Sequence, residues 1–374
     1  MKVLILSCNT GEGHNIAGKA MKEALEKEGH KAVMLDYMKL SSDRTSKVVG
    51  GAYINIAKYT PHFFYFIYKA ALKISSDKRK SPVYYSNSLM AKHLEKYLEK
   101  NKFDIILMPH LFPAETMTYM KKKKMLNEKT IAISTDYTCI PFWEETECDA
   151  YVIPHERMMD EYIQRGIQKE KLYPLGIPVR QDFYVKEEMR KAKKELNLNT
   201  DKPMYLIMSG GMGFGKIQLF TIQLNRQCKN GEQIVVICGN NQKLRSLLEK
   251  EFKNKSNVNI IGYTNKISTY MDAADVVYTK PGGLTSTEVI VKNRPLVHTA
   301  PIPGCETKNM EFFVEKGMAL HSKKIADQIE QGKTLLYNYE LRNNMLKKQR
   351  ENAKLNAAKD IIKLMHILIN KEDN

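Results

Sequence analysis

The chain has 374 residues, 43% hydrophobic and 27% charged, with 59 Lys and Arg against 42 Asp and Glu, a formal charge of +17. That length favours two cores over one and that composition a globular chain, while the charge suits an anionic partner: nucleic acid, an acidic lipid surface or a phosphorylated substrate. The six scattered cysteines form no C-x-x-C pair, no apolar run reaches the roughly 18–20 residues that span a bilayer, and an immediate first strand leaves no room for a signal peptide, so a reduced, cytoplasmic protein is expected.

The first half alternates strand and helix. "KVLILS" is followed by a helix over 15–28, and "KAVMLDY" is a second strand. "FDIILMPH" and "TIAISTD" are later strands, each ending in a polar residue. Apolar runs bounded by turns and interleaved with helices predict a parallel sheet covered on both faces. At "YPLGIPVRQDF" (173–183) Gly and Pro mark a linker. The scheme then restarts with "PMYLIMSGG", "EQIVVICG", "VNIIGY" and "ADVVYTKPGG", and the residues from about Leu341 read as lysine-rich helix. The fold class expected is α/β: two doubly wound Rossmann-like domains facing across a cleft. Residues 1–178 would form the first and 179–345 the second, with a C-terminal helix, 346–374, packing back toward the first. Ligands of such sheets sit at the carboxyl ends of the strands, which would gather His14, His110 and Asp136 at one edge.

Segment 47–80 differs in composition. It holds seven Lys or Arg and one acid, Asp77, with Tyr53, Tyr59, Phe63, Phe64, Tyr65, Phe66 and Tyr68 between them. Such interleaving suits an interfacial, membrane-lying helix, and equally a domain helix with buried aromatics and a solvated lysine face.

Four stretches carry chemistry. In "SCNTGEGHNIAGKA" (7–20), Gly11 and Gly13 begin a dinucleotide-like turn, but position 16 is Ile and the next glycine is Gly18, so a dinucleotide site is not expected. Asp36 either holds a nucleotide or caps the next turn. His14 stands at a helix mouth, where the dipole disfavours imidazolium and keeps the ring in the neutral form a general base needs. A structural histidine is the alternative. "SGGMGFGK" (209–216) nearly spells a phosphate-binding P-loop, with Ile217 where a Mg²⁺-holding hydroxyl would stand, so it reads as a diphosphate cradle or a plain strand–helix turn. In "YTKPGGLTSTEVIVKNRP" (278–295) a Pro-Gly-Gly turn leads to a helix opened by Thr285. There Glu288 either closes a capping box or accepts both hydroxyls of a ribose. "APIPGCETKNMEF" (300–312) presents Glu306, Lys308 and Asn309 after a rigid turn.

In this order, "GEGH" (11–14), "MPHLFPAE" (108–115), "STDYTCIPFW" (134–143), "LGIPV" (175–179), "SGGMGFGK", "TKPGGLTSTE" and "PIPGCETKN" resemble the monogalactosyldiacylglycerol synthase and processive diacylglycerol glucosyltransferase group. These are family-28 glycosyltransferases of the GT-B fold, and the resemblance covers nearly the whole chain. It implies a lipid acceptor on the first domain and a UDP-sugar on the second, with His14 as the base and Glu288 on the ribose. Gly211, Gly213 and Gly283 would line the diphosphate, and Glu306 and Asn309 would meet the sugar. The resemblance extends the UDP-sugar side to Gly13, Lys216, Tyr263, Thr264, Leu284, Thr285 and Cys305. It sets His110, Asp136 and Trp143 on the acceptor side, and makes Tyr59, Phe63, Phe64, Phe66, Lys69 and Lys73 membrane-binding. The family often has Gln where Cys305 stands and His where Ile140 stands; a thiol is a poor hydrogen-bond partner, which leaves the hexose open.

The function expected is inverting transfer of glucose or galactose from UDP-hexose to diacylglycerol or a related lipid, forming a β-glycolipid at the inner face of the cell membrane. No cofactor or metal is expected, because no D-x-D-like run accompanies the donor loops. Nor is nucleic acid an expected partner. The alternatives are a UDP-sugar epimerase or hydrolase on the same fold, and a non-enzymatic basic nucleotide- or nucleic-acid-binding regulator.

Overall fold

The computed structural model describes residues 1–8, 12–42, 51, 60–209 and 216–370, with only the backbone at 61, 62 and 64. The first sheet contains β1 (Lys2–Ser7), β2 (Lys31–Asp36), β3 (Ile105–Met108), β4 (Lys129–Ile133), β5 (Ala150–Val152) and β6 (Leu172–Tyr173). Their order is β2-β1-β3-β4-β5-β6 and every pairing is parallel. The second contains β7 (Met204–Met208), β8 (Gln233–Ile237), β9 (Val258–Ile261), β10 (Val276–Thr279), β11 (Leu296–His298) and β12 (Leu320–His321). It runs β12-β11-β10-β7-β8-β9, again all parallel. The continuous apolar strands account for this: Val3, Leu4, Ile5 and Leu6 are all fully buried, as a strand covered by helices on both faces requires.

Each sheet reverses direction once. β1 has β2 on one side and β3 on the other, and β7 lies between β8 and β10. These are the points where loops leaving adjacent strands part company and open a crevice at the carboxyl edge. The helix Glu12–Lys27 leaves the first of them and lies close on the sheet because residue 18 is glycine. A Cβ there would stand 2.9 Å from Met34 and 3.3 Å from Ile5. Gly18 thus gives the close helix–strand packing that the third glycine of a dinucleotide turn supplies.

Two compact units result. One is Met1–Gln181 with Pro303–Cys305 and Lys354–Asn374; the other is Asp182–Ile302 with Glu306–Ala353. The final stretch is not one helix from Leu341 but two, Tyr339–Asn352 and Ala357–Asn370. Met345 and Gln349 of the former are buried in the second unit, where Gln349 Nε2 donates to the carbonyls of Arg294 (2.9 Å) and Met318 (3.0 Å). The latter sets Ile361, Ile362 and Met365 among Val3, Ile5 and Met21 of the first core. The chain therefore changes unit at 353/354, later than the 346 expected. Among the described residues no helix is long and apolar enough to cross a membrane.

Candidate active site

In the first unit the loops that follow β1, β3 and β4 converge on one imidazole. His14 lies in the opening turn of the helix Glu12–Lys27, beside Gly13; Gly11 lies outside the described residues. Its Nδ1 is 2.9 Å from the Pro109 carbonyl oxygen and 2.8 Å from Thr135 Oγ1. A carbonyl only accepts, so Nδ1 carries the proton, shared with the threonine oxygen, and Nε2 keeps its lone pair. Burial lowers the His14 pKa, opposed by the Asp136 carboxylate and the Pro109 carbonyl. The ring is half-buried and its lowered pKa leaves it neutral near pH 7; among the described residues nothing bonds to Nε2.

His110 and Asp136 gather here as expected, in different capacities. His110 is buried, stands edge-on to His14 with ring centroids 4.6 Å apart, and uses Nδ1 to accept the Phe112 N–H at 3.1 Å. It therefore caps the helix Leu111–Lys122, and burial and His14 hold its pKa well below the ordinary imidazole value. Asp136, half-exposed, is the anion nearest in effect to His14. Trp143, expected on the acceptor side, is instead interior: 3% exposed, edge-on to Tyr151 at 6.4 Å, with Nε1 unpartnered among the described residues. The apolar turn around Phe142 folds it inward. Asp36 caps a short turn by accepting the Met38 N–H at 3.2 Å.

The second unit collects its motifs after β7 and β10. The loop 210–215, with Gly211 and Gly213, lies outside the described residues. Lys216 is exposed at the head of the helix Ile217–Gln227. After β10, the helix Gly283–Lys292 starts two residues before Thr285, with Gly282 as its N-cap and no side-chain cap. Glu288 therefore lies three residues beyond the position a capping box requires and does not close one. The opening amides of Gly283, Leu284 and Thr285 have no intrahelical acceptor, the usual disposition for receiving an anion. Leu284 and Glu288 are buried, Tyr263 is 68% exposed, and Thr264 Oγ1 accepts the Lys266 N–H at 3.1 Å.

The helix Cys305–Glu315, which carries Glu306 and Asn309, is stitched to this turn. Glu306 pairs through Oε1 with Lys280 and accepts the Ile302 N–H on Oε2 at 2.8 Å. Asn309, fully buried, donates Nδ2 to the Pro281 carbonyl at 3.1 Å. Glu306 and Asn309 thus fix two turns against each other, whatever they also offer a sugar. Lys280 was missed in the sequence, although it stands in "TKPGG"; its value comes from an acid 26 residues later. Nothing in "STDYTCIPFW" signals the role of Thr135, because its partner is 121 residues away.

The helix Pro61–Ile74 has no acid and leaves Phe63 (54%), Phe66 (68%) and Ile74 (53%) exposed, with Lys69 and Lys73 also outward. Tyr59 and the side chain of Phe64 lie outside the described residues.

Comparison with known proteins gives this arrangement a family. The model of monogalactosyldiacylglycerol (MGDG) synthase matches residues 14–179, and that of the glycosyltransferase family 28 C-terminal domain residues 204–365. A processive diacylglycerol beta-glucosyltransferase of Bacillus licheniformis is 28% identical, over 99% of this chain and 97% of its own. The Staphylococcus saprophyticus protein of that name is 32% identical over 71% of this chain and 66% of its own. In structure, MurG of Acinetobacter baumannii aligns with a TM-score of 0.62 at 15% identity, over 98% of this chain and 99% of that one, which shows the fold. The chain belongs to the monogalactosyldiacylglycerol synthase and processive diacylglycerol glucosyltransferase group of family-28 glycosyltransferases, with the GT-B fold.

Proposed function

We propose that the chain is an inverting hexosyltransferase that moves a sugar from UDP-hexose to the hydroxyl of diacylglycerol or a related membrane lipid, giving a β-glycolipid. Relatives named for that activity match it from end to end, and their name favours glucose as the hexose. The observation that carries the mechanism is the pair of oxygens at His14 Nδ1: the Pro109 carbonyl and Thr135 Oγ1 favour a proton on Nδ1, which leaves Nε2 as an available base.

In this reading Nε2 takes the acceptor hydroxyl proton as the oxygen attacks the anomeric carbon on the face opposite UDP. The C–O bond to the diphosphate breaks with its electron pair, and one displacement turns an α-linked donor into a β-glycoside. Asp136 stabilises the imidazolium that forms. Negative charge growing on the diphosphate meets the opening amides of the helix Gly283–Lys292, and Glu288 accepts from the ribose. We assign this charge stabilisation to the chain's own amides and no metal, on the sequence ground that the donor loops carry no D-x-D-like run. The exposed Phe63, Phe66, Lys69 and Lys73 would rest on the anionic inner face of the cell membrane, where the acceptor resides.

The test is a panel of UDP-sugars offered with vesicles containing diacylglycerol, the product being identified by mass. A hexosyl-diacylglycerol formed from UDP-glucose supports the reading. Epimerised sugar, or rapid UDP release without lipid, overturns it.

A further inference from the structure

β11 ends on His298, a residue fully buried at the carboxyl edge of the second sheet. In the sheet it lies beside Thr279, which closes β10 just before the Pro-Gly-Gly turn, and beside His321 of β12. Its carbonyl accepts from His321 Nδ1 at 2.9 Å, which fixes the main chain there.

The imidazole reaches two helices. Nε2 is 3.0 Å from Ser286 Oγ, and Ser286 is fully buried as well. Ser286 is the first residue of the helix Gly283–Lys292 whose N–H has an intrahelical acceptor, the Gly282 carbonyl at 3.0 Å. The bond therefore grips the helix directly behind the opening amides of Gly283, Leu284 and Thr285. The ring also meets Phe313 edge-on, with centroids 5.4 Å apart. Phe313 lies one turn after Asn309 on the helix Cys305–Glu315, and the spacing of Glu306, Asn309 and Phe313 puts all three on one face.

Burial, and then His321, push the His298 pKa down to about 3, so the ring is uncharged near pH 7. Nδ1 is unpartnered among the described residues. An apolar side chain would fill this place without orphaning a nitrogen. Among the described residues, the polar return for placing an imidazole here is the bond to Ser286.

We propose that His298 is a positioning residue for the donor. Through Ser286 it fixes the start of the helix that receives the diphosphate, and through Phe313 it braces the helix that carries Glu306 and Asn309. This deepens the donor reading given above and rests on it. Both contacts lie beneath the groups that face the donor, so their loss shifts those groups without removing any of them.

The experiment is calorimetry of UDP binding to the full chain without lipid, with a melting curve of each variant beside it. Ser286→Ala and His298→Leu should each raise Kd about five- to tenfold, the worth of one net hydrogen bond. The double variant should be no worse than the weaker-binding single one, because both changes remove the same contact. His298→Gln, whose side-chain amide can donate to or accept from Ser286, should stay within about threefold of the wild type. A loss of stability alone would produce neither that rescue nor that lack of additivity. Ser286→Ala, which removes a single oxygen, carries the test if His298→Leu does not fold. A wild-type Kd in folded Ser286→Ala overturns the proposal, whatever its melting point, as do fully additive losses in the double variant. A wild type that binds no UDP overturns instead the donor reading.

Discussion

The two units are built on nearly the same plan and put different chemistry at the same place. Both sheets are parallel and doubly wound, and in both the loops at the reversal point leave from the carboxyl edge. At that edge the first unit sets two neutral imidazoles, Pro109, Thr135 and a carboxylate. The second sets a glycine-capped helix start and the Lys280–Glu306 pair. The first is equipped to move a proton and the second to hold negative charge. Backbone topology chooses where a site forms, and the few side chains on the switch-point loops choose what it does.

That division can be broken at several points. His14→Ala should lower turnover by about 10²–10⁴, the usual contribution of a general base, and leave UDP-glucose affinity within a few-fold of wild type. A parallel loss of affinity would show that His14 serves both units' tasks. Ile361→Ala, near the end of the chain yet in the first core, should cost about 2–5 kcal/mol, read as a lower melting transition of the first unit alone. Lys280→Met strands the buried Glu306 carboxylate and should destabilise the second unit by about 3 kcal/mol, most of it restored in Lys280→Met/Glu306→Gln. If the double variant is no better than the single one, the pair is not what joins the two turns.

Two smaller effects sharpen the contrast through pH. Glu115 is fully buried beneath the site, with Asn87 donating to one oxygen and the other unpartnered among the described residues, and burial pushes its pKa up to about 8. A raised carboxyl favours the protonated native state, so this contribution is whole below the unfolded pKa and is lost as pH rises toward 8. Chemical denaturation across that range should show a slope in the first unit that Glu115→Gln removes. The proposed base has the opposite sense: burial lowers the His14 pKa, so rate should fall only as pH drops below the ordinary imidazole value. Asp136→Asn, which takes away the charge that raises His14, should move that acid limb of kcat/KM lower still.

Much of this was legible in the chain. Both sheets follow from apolar runs set between helical stretches, and the gathering of His14, His110 and Asp136 follows from where parallel strands end. What escaped depended on distant partners. Nothing local in "MPHLFPAE" distinguishes a carbonyl at Pro109 that fixes a histidine tautomer from an ordinary one. Thr285-x-x-Glu288 spells a capping box, yet Gly282 starts the helix earlier, because a glycine in extended backbone can precede it without a side-chain cap. Trp143 was set on the acceptor side by resemblance, and only the fold turns it toward Tyr151. The lysine-rich tail concealed its break, since Ala353–Asn356 differs little in composition from the helices beside it.

The claim beneath all of this is that His14 waits as a neutral ring with its proton on Nδ1. Nitrogen-15 NMR of the imidazole at pH 7, assigned by comparison with His14→Gln, reads that state directly. A protonated Nδ1 with a bare Nε2 is the result predicted; a proton on Nε2 alone, or a fully charged imidazolium, would contradict it.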